Sequence, residues 1–138
     1  MTDRALVGKR IPKVDSVAKA TGQSRFTADL SLPRMLHGKI LRSPHPHAKI
    51  LSIDTTEADR LPGVKAVITG RDTAGEKWGV FRYTRDQQLL PADKVRYVGE
   101  EVAAVAAVSE DVAQEALDLI QVEYEVLPAV FTIEEAMA

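Results

Sequence analysis

The chain has 138 residues, 45% hydrophobic and 28% charged, with 18 Lys and Arg against 20 Asp and Glu for a formal net charge of −2. That length suits one domain with a real core and is short for two of ordinary size, and the composition is globular rather than disordered. The slightly acidic balance gives no electrostatic footprint for nucleic acid or a membrane surface, and the absence of cysteine removes disulfides, thiolate nucleophiles and thiolate-held zinc or iron–sulfur clusters. MTDRALVGKR has no apolar leader, and no stretch holds the roughly 18 uninterrupted apolar residues of a membrane span, so a soluble, cytoplasmic protein is expected.

Taken in order, residues 1–12 read as an N-terminal arm. Its Val7-Gly8-Lys9 lacks the second glycine and the Lys-Ser/Thr pair of a phosphate loop. Residues 14–29 are weakly periodic, with a turn at Thr21-Gly22 and a short strand expected over 25–27. LHGKILR, residues 36–42, is a strand, and Ser43-Pro44-His45-Pro46-His47 follows as an extended loop, because each proline forbids helix at the residue before it. His45 and His47 have the spacing of a metal-binding His-x-His, and His37 is the one other histidine. Without cysteine or an evident third carboxylate the loop is read as hydrogen-bonded and structural, with metal as the competing reading.

AKILSI, residues 48–53, is the next strand. Asp54 with Glu57 three residues on reads as a capping box for a short helix stopped at Pro62-Gly63, and VKAVIT, residues 64–69, is a further strand. Residues 71–93 form an irregular loop carrying Trp78, Phe81, Arg82, Tyr83 and Arg85, an enrichment that fits an interface better than a solvated tip.

Residues 94–131 carry the clearest pattern. Residues 102–108 are entirely Val and Ala, which suits a strand covered on both faces, while alanine's propensity would also allow helix. Ser109 followed by Glu110 and Asp111 decides for the strand, because it is an N-cap with two carboxylates where the macrodipole favours them. From that cap Val112, Ala113, Ala116, Leu117 and Ile120 make one apolar stripe, and the alternating QVEYEV ends at Leu127-Pro128. The unit reads as strand, helix, strand, with a right-handed crossover if the strands are parallel.

Glu100 and Glu101 are adjacent, so on a strand they point to opposite faces and do not form a catalytic pair. Neither a nucleophile elbow nor a triad spacing is present. The residues describe an α+β domain spanning 1–138 with no self-contained active site.

The succession VGKRIPKVDSVAKATGQSRFTADLSLPRMLHGKILRSPHPHAKILSID, then LPGVKAVITG, DKVRYVGEEVAAVAA and ALDLIQVEYEVLPAV, resembles the N-terminal part of the molybdenum-binding large subunit of the xanthine dehydrogenase and aldehyde oxidase family. In look it is nearest the prokaryotic members with separate subunits, such as 4-hydroxybenzoyl-CoA reductase. The resemblance implies an α/β-hammerhead, a mixed sheet with two short helices, serving an oxidoreductase of aromatic, heterocyclic or aldehyde substrates. It implies molybdopterin with molybdenum, iron–sulfur clusters and FAD in the complete complex, none held by this chain alone, so no catalytic, cofactor-binding or metal-ligating residue is assigned. The implied partners are the molybdopterin domains, the iron–sulfur subunit and an FAD subunit, with residues 19–29 and 43–47 as the expected contact stretches. A stand-alone binding or scaffold module is the alternative.

Overall fold

A computed structural model describes residues 8–73, 76–81 and 83–138, so residues 1–7 of the expected arm and Arg82 lie outside the described residues. The chain divides into two compact units, Met1–Pro33 and Arg34–Ala138. The first contains helix α1, Ser16–Ala20, and a 3-10 turn, Thr27–Asp29, where a strand over 25–27 was expected. The Asp29 carboxylate accepts the Phe26 N–H at 2.9 Å and closes the chain into a turn instead. No residue of 8–33 is buried, and Val14, Val17, Phe26, Leu30 and Leu32 are exposed, so the described residues of this unit form no core of their own.

The second unit follows in the order β1 (His37–Arg42), β2 (Ala48–Asp54), α2 (Thr56–Arg60), β3 (Val64–Thr69), β4 (Lys77–Trp78), β5 (Gln87–Gln88), β6 (Lys94–Val95), β7 (Glu101–Ala107), α3 (Glu110–Leu119), β8 (Gln121–Val126) and α4 (Ile133–Met137). Among the described residues three sheets form, ordered β1-β7-β3, β6-β2-β8 and β4-β5. The α+β class holds, but every pairing among the described residues is antiparallel, so the expected mixed sheet gives way to antiparallel ones. β7 already has β1 and β3 as neighbours, which leaves β8 to pair with β2; each strand–helix–strand run thus leads from one sheet to the other. Nine residues between β2 and β3 are also fewer than the dozen or so a parallel crossover needs. Four α-helices form among the described residues where two were expected, because α1 and α4 are single turns with no hydrophobic stripe.

Ser109 caps α3 as its residues predict, its Oγ accepting the Val112 N–H at 3.3 Å. Ala113, Ala116 and Leu117 are buried, and Ile120, which ends the helix, is buried with them. They pack on Ala103, Val105 and Ala107 of β7, whose small side chains let helix and strand approach closely. Around α2 the expected capping box does not form. Asp54 accepts the Thr56 N–H at 2.9 Å but stands one residue before the N-cap Thr55, and Glu57 pairs with Arg60 at 3.2 Å.

Bulges interrupt the pairing at Leu51 in β2, Lys65 in β3 and Val102 in β7, where each strand carries one residue more than its neighbour. The bulge at Val102 explains why Val102 and Ala103 are buried in succession. Val102 joins Ala48 and Val95 under the β2 sheet, while Ala103, Val105 and Ala107 face α3. Fully burying Val95 and Val102 contributes about 1.5–3 kcal/mol each. Ile53 and Val122 touch both clusters and join them.

Candidate functional site

The loop after β1 is held by the turn that precedes β7. Ser43 is 2% exposed; its N–H donates to the Glu100 carbonyl at 2.9 Å and its carbonyl accepts the Gly99 N–H at 2.8 Å. Its Oγ accepts the His45 N–H at 3.0 Å, closing the local turn. The His45 ring meets Tyr124 edge-on, with centroids 5.0 Å apart, and burial pushes the Tyr124 hydroxyl pKa up. His47 turns elsewhere, with Nδ1 2.6 Å from the Pro128 carbonyl, and its own carbonyl accepts the Leu127 N–H at 2.9 Å. His37 stands on β1, 3.8 Å from Glu110. The three imidazoles therefore have separate partners, and among the described residues no group of three or more His, Asp or Glu could hold a metal ion.

Glu100 and Glu101 diverge, but only Glu101 is a strand residue, opening β7, while Glu100 closes the turn before it with its N–H donating to the Tyr97 carbonyl. The Glu100 carboxylate accepts the backbone N–H of Arg96, a very short contact. Glu101 takes the Arg42 guanidinium at 2.6 Å, and the same guanidinium donates to the Gly99 carbonyl at 2.7 Å. The N–H of Glu101 itself and then Arg42 hold the Glu101 carboxyl below its ordinary pKa, against the opposing pull of burial. Burial, with Glu101 and Glu100 behind it, raises Tyr97. Beside this turn lies a recess of about 490 Å³ lined by Pro46, His47, Arg96, Tyr97, Pro128 and Phe131. It is chiefly apolar with one guanidinium and one imidazole, the make-up of a seat for a partner's side chains.

The two larger sheets present unlike outer faces. On the β2 sheet that face is polar, with Lys49 paired to Glu125 at 3.1 Å and Ser52 bonded to Glu123 at 3.3 Å. On the β1-β7-β3 sheet, register puts Ile40, Ala104 and Ile68 in one row and Gly38, Ala106 and Ala66 in the next, with no polar side chain among them. Ile40 is 45% and Ile68 42% exposed. The expectation that β7 would be covered on both faces is thus met on one only, since α3 covers the inner face. The residues did carry that signal. Ile40-Leu41 and Val67-Ile68 are apolar pairs, and a half-buried strand should alternate with polar residues at such positions.

In the long loop, Phe81 and Tyr83 stack with centroids 5.4 Å apart, and with Trp78 they stay exposed, as an interface reading expects. Residues 19–29 are exposed save Ser24. A chain without cysteine supplies no thiolate to an iron–sulfur cluster.

These observations define an α+β module whose two larger sheets are antiparallel, with α3 packed on the β1-β7-β3 sheet and several large apolar side chains exposed. The chain belongs to the aldehyde oxidase and xanthine dehydrogenase family, whose a/b hammerhead domain model matches residues 21–128. It is 46% identical over 124 residues to a probable xanthine dehydrogenase subunit of Bacillus subtilis (strain 168), covering 89% of this chain and 16% of that one. It is 42% identical over 136 residues to the nicotinate dehydrogenase large molybdopterin subunit of Eubacterium barkeri, covering 98% and 32%. Among solved structures, quinoline 2-oxidoreductase from Pseudomonas putida 86 superimposes with a TM-score of 0.84 at 43% identity, over 94% of this chain and 17% of that one. The chain thus spans about a sixth to a third of these relatives' length. Among the described residues no helix is long and apolar enough to cross a membrane.

Proposed function

We propose that this chain is the non-catalytic hammerhead portion of a molybdenum hydroxylase that oxidises or reduces aromatic, heterocyclic or aldehyde substrates. In that role residues 1–138 act as one structural domain, packing between molybdopterin-binding domains and an iron–sulfur subunit, with an FAD subunit completing electron transfer. Molybdopterin supplies the redox chemistry at a site built by other polypeptide, and this chain's residues position that polypeptide. The observation that carries the reading is the bare outer face of the β1-β7-β3 sheet, which exposes Ile40 and Ile68 where the β2 sheet carries the Lys49–Glu125 ion pair and the Ser52–Glu123 hydrogen bond. A contiguous apolar face of this kind marks an interaction surface. The 42% identity to a molybdopterin subunit supports the choice of partner.

The test is affinity capture of the tagged chain from its native host, with metal analysis and peptide sequencing of what elutes. A molybdenum-bearing polypeptide in constant ratio to the chain is the expected result. A chain that elutes alone, or with proteins free of molybdenum, sinks the proposal in favour of a stand-alone scaffold module.

A further inference from the structure

Both cations at one end of the bare sheet face are set there by backbone irregularities. Arg34 is the one non-glycine among the described residues with a left-handed backbone, at φ 62°. That conformation is uncommon for a long side chain and persists only where surrounding structure holds it. Lys65 is the extra residue of the β3 bulge, and a bulge re-aims the side chain it carries. The two line one concavity of about 470 Å³ with Met35, Leu36 and Val108, and no carboxylate is among the lining residues.

Strand parity makes this concavity continuous with the bare face, since Leu36 extends the series of Gly38 and Ile40, and Val108 extends that of Ala104 and Ala106. The surface therefore carries two cations at one end, an apolar stretch through Ile40 and Ile68, and at the other end Arg42, whose charge is met by Glu101. We propose that it docks an extended or helical segment of the partner polypeptide whose apolar residues cover Ile40 and Ile68 and whose terminal one or two carboxylates meet Arg34 and Lys65. The proposal rests on the docking role proposed above and adds where the partner sits and what its chemistry is. Apolar contact supplies the affinity, and the two charges fix which way round the segment lies.

The test places a photo-cross-linking amino acid at Leu36 or Ile40 and, as a control, at Glu123 on the outer face of the other sheet. Each variant is expressed in the native host, irradiated, captured and its adducts sequenced. Positions 36 and 40 should label one partner segment with Asp or Glu beside its apolar residues, and Glu123 should not label it. Combining Arg34→Glu with Lys65→Glu should lower that labelling about ten-fold, because like charges then face each other. If the reversed pair unfolds the chain, Arg34→Gln with Lys65→Gln should lower labelling about three-fold with the fold retained. Labelling of a basic segment, labelling of a second copy of this chain, labelling at Glu123 alone, or labelling indifferent to both charge variants overturns the proposal. Labelling of an acidic segment in a polypeptide without molybdenum keeps the surface and removes the hydroxylase reading instead.

Discussion

Leu117→Ala and Ile40→Ala remove similar amounts of hydrocarbon from opposite sides of the same sheet, and the structure requires unequal results. Leu117 is 7% exposed and packs with Val105 and the buried alanines of β7 and α3, whose short side chains cannot move in to fill a void. Lost burial plus a retained cavity gives about 3 kcal/mol. Ile40 is 45% exposed, so its removal leaves no cavity and forfeits about half of a buried side chain's contribution, about 1 kcal/mol. Urea unfolding of the 138-residue chain followed by circular dichroism reads the difference. With a slope of about 1.5 kcal/mol/M, the midpoints should fall by about 2 M and about 0.7 M respectively. Equal falls would mean that the outer face is covered in the isolated chain, and the reasoning about a bare sheet would fail.

Ser109→Ala removes the oxygen that accepts the Val112 N–H and should lower unfolding stability by about 1 kcal/mol, with Ser109→Asp restoring it. Gly70→Ala should cost about 1–3 kcal/mol by thermal melting, because a Cβ there collides with the Pro91 carbonyl across the start of the long loop. The Glu101 carboxyl is held below its ordinary 4.5 by its own N–H and by Arg42. Its contribution is therefore complete above that pH and disappears as pH falls through the lower folded value. Stability measured across that window should decline, and Glu101→Gln should flatten the decline; an unchanged slope would refute the assignment.

Where a segment's local chemistry and its tertiary role agree, the residues were legible. The Ser109 cap, the five-residue stripe of α3, the alternation of QVEYEV and the strand VKAVIT all appear where their patterns put them, because each satisfies its backbone locally and buries one face. The pairing partners were not legible, since an all-apolar β7 is compatible with parallel or antiparallel neighbours and only the completed sheets decide between them. The bulges were equally hidden. Nothing local distinguishes Val102 from Val105, yet one extra residue sends Val102 to a different cluster. The same holds for the concavity, whose Arg34, Leu36, Lys65 and Val108 come from three segments and acquire meaning only once β1, β3 and β7 lie side by side. The turn α4 was missed for another reason. Its capping box is complete, with Thr132 accepting the Glu135 N–H at 3.2 Å, but no hydrophobic stripe announces it.

Hydroxyl-radical footprinting of the captured complex, compared with the free chain, tests most directly whether the bare sheet face is built to be covered. Leu36, Ile40 and Ile68 should lose most of their oxidation when the partner is present, while Leu51, exposed on the β2 bulge, keeps its own. Oxidation of Ile40 and Ile68 that is the same free and bound, with protection appearing at Leu51 instead, would contradict the account.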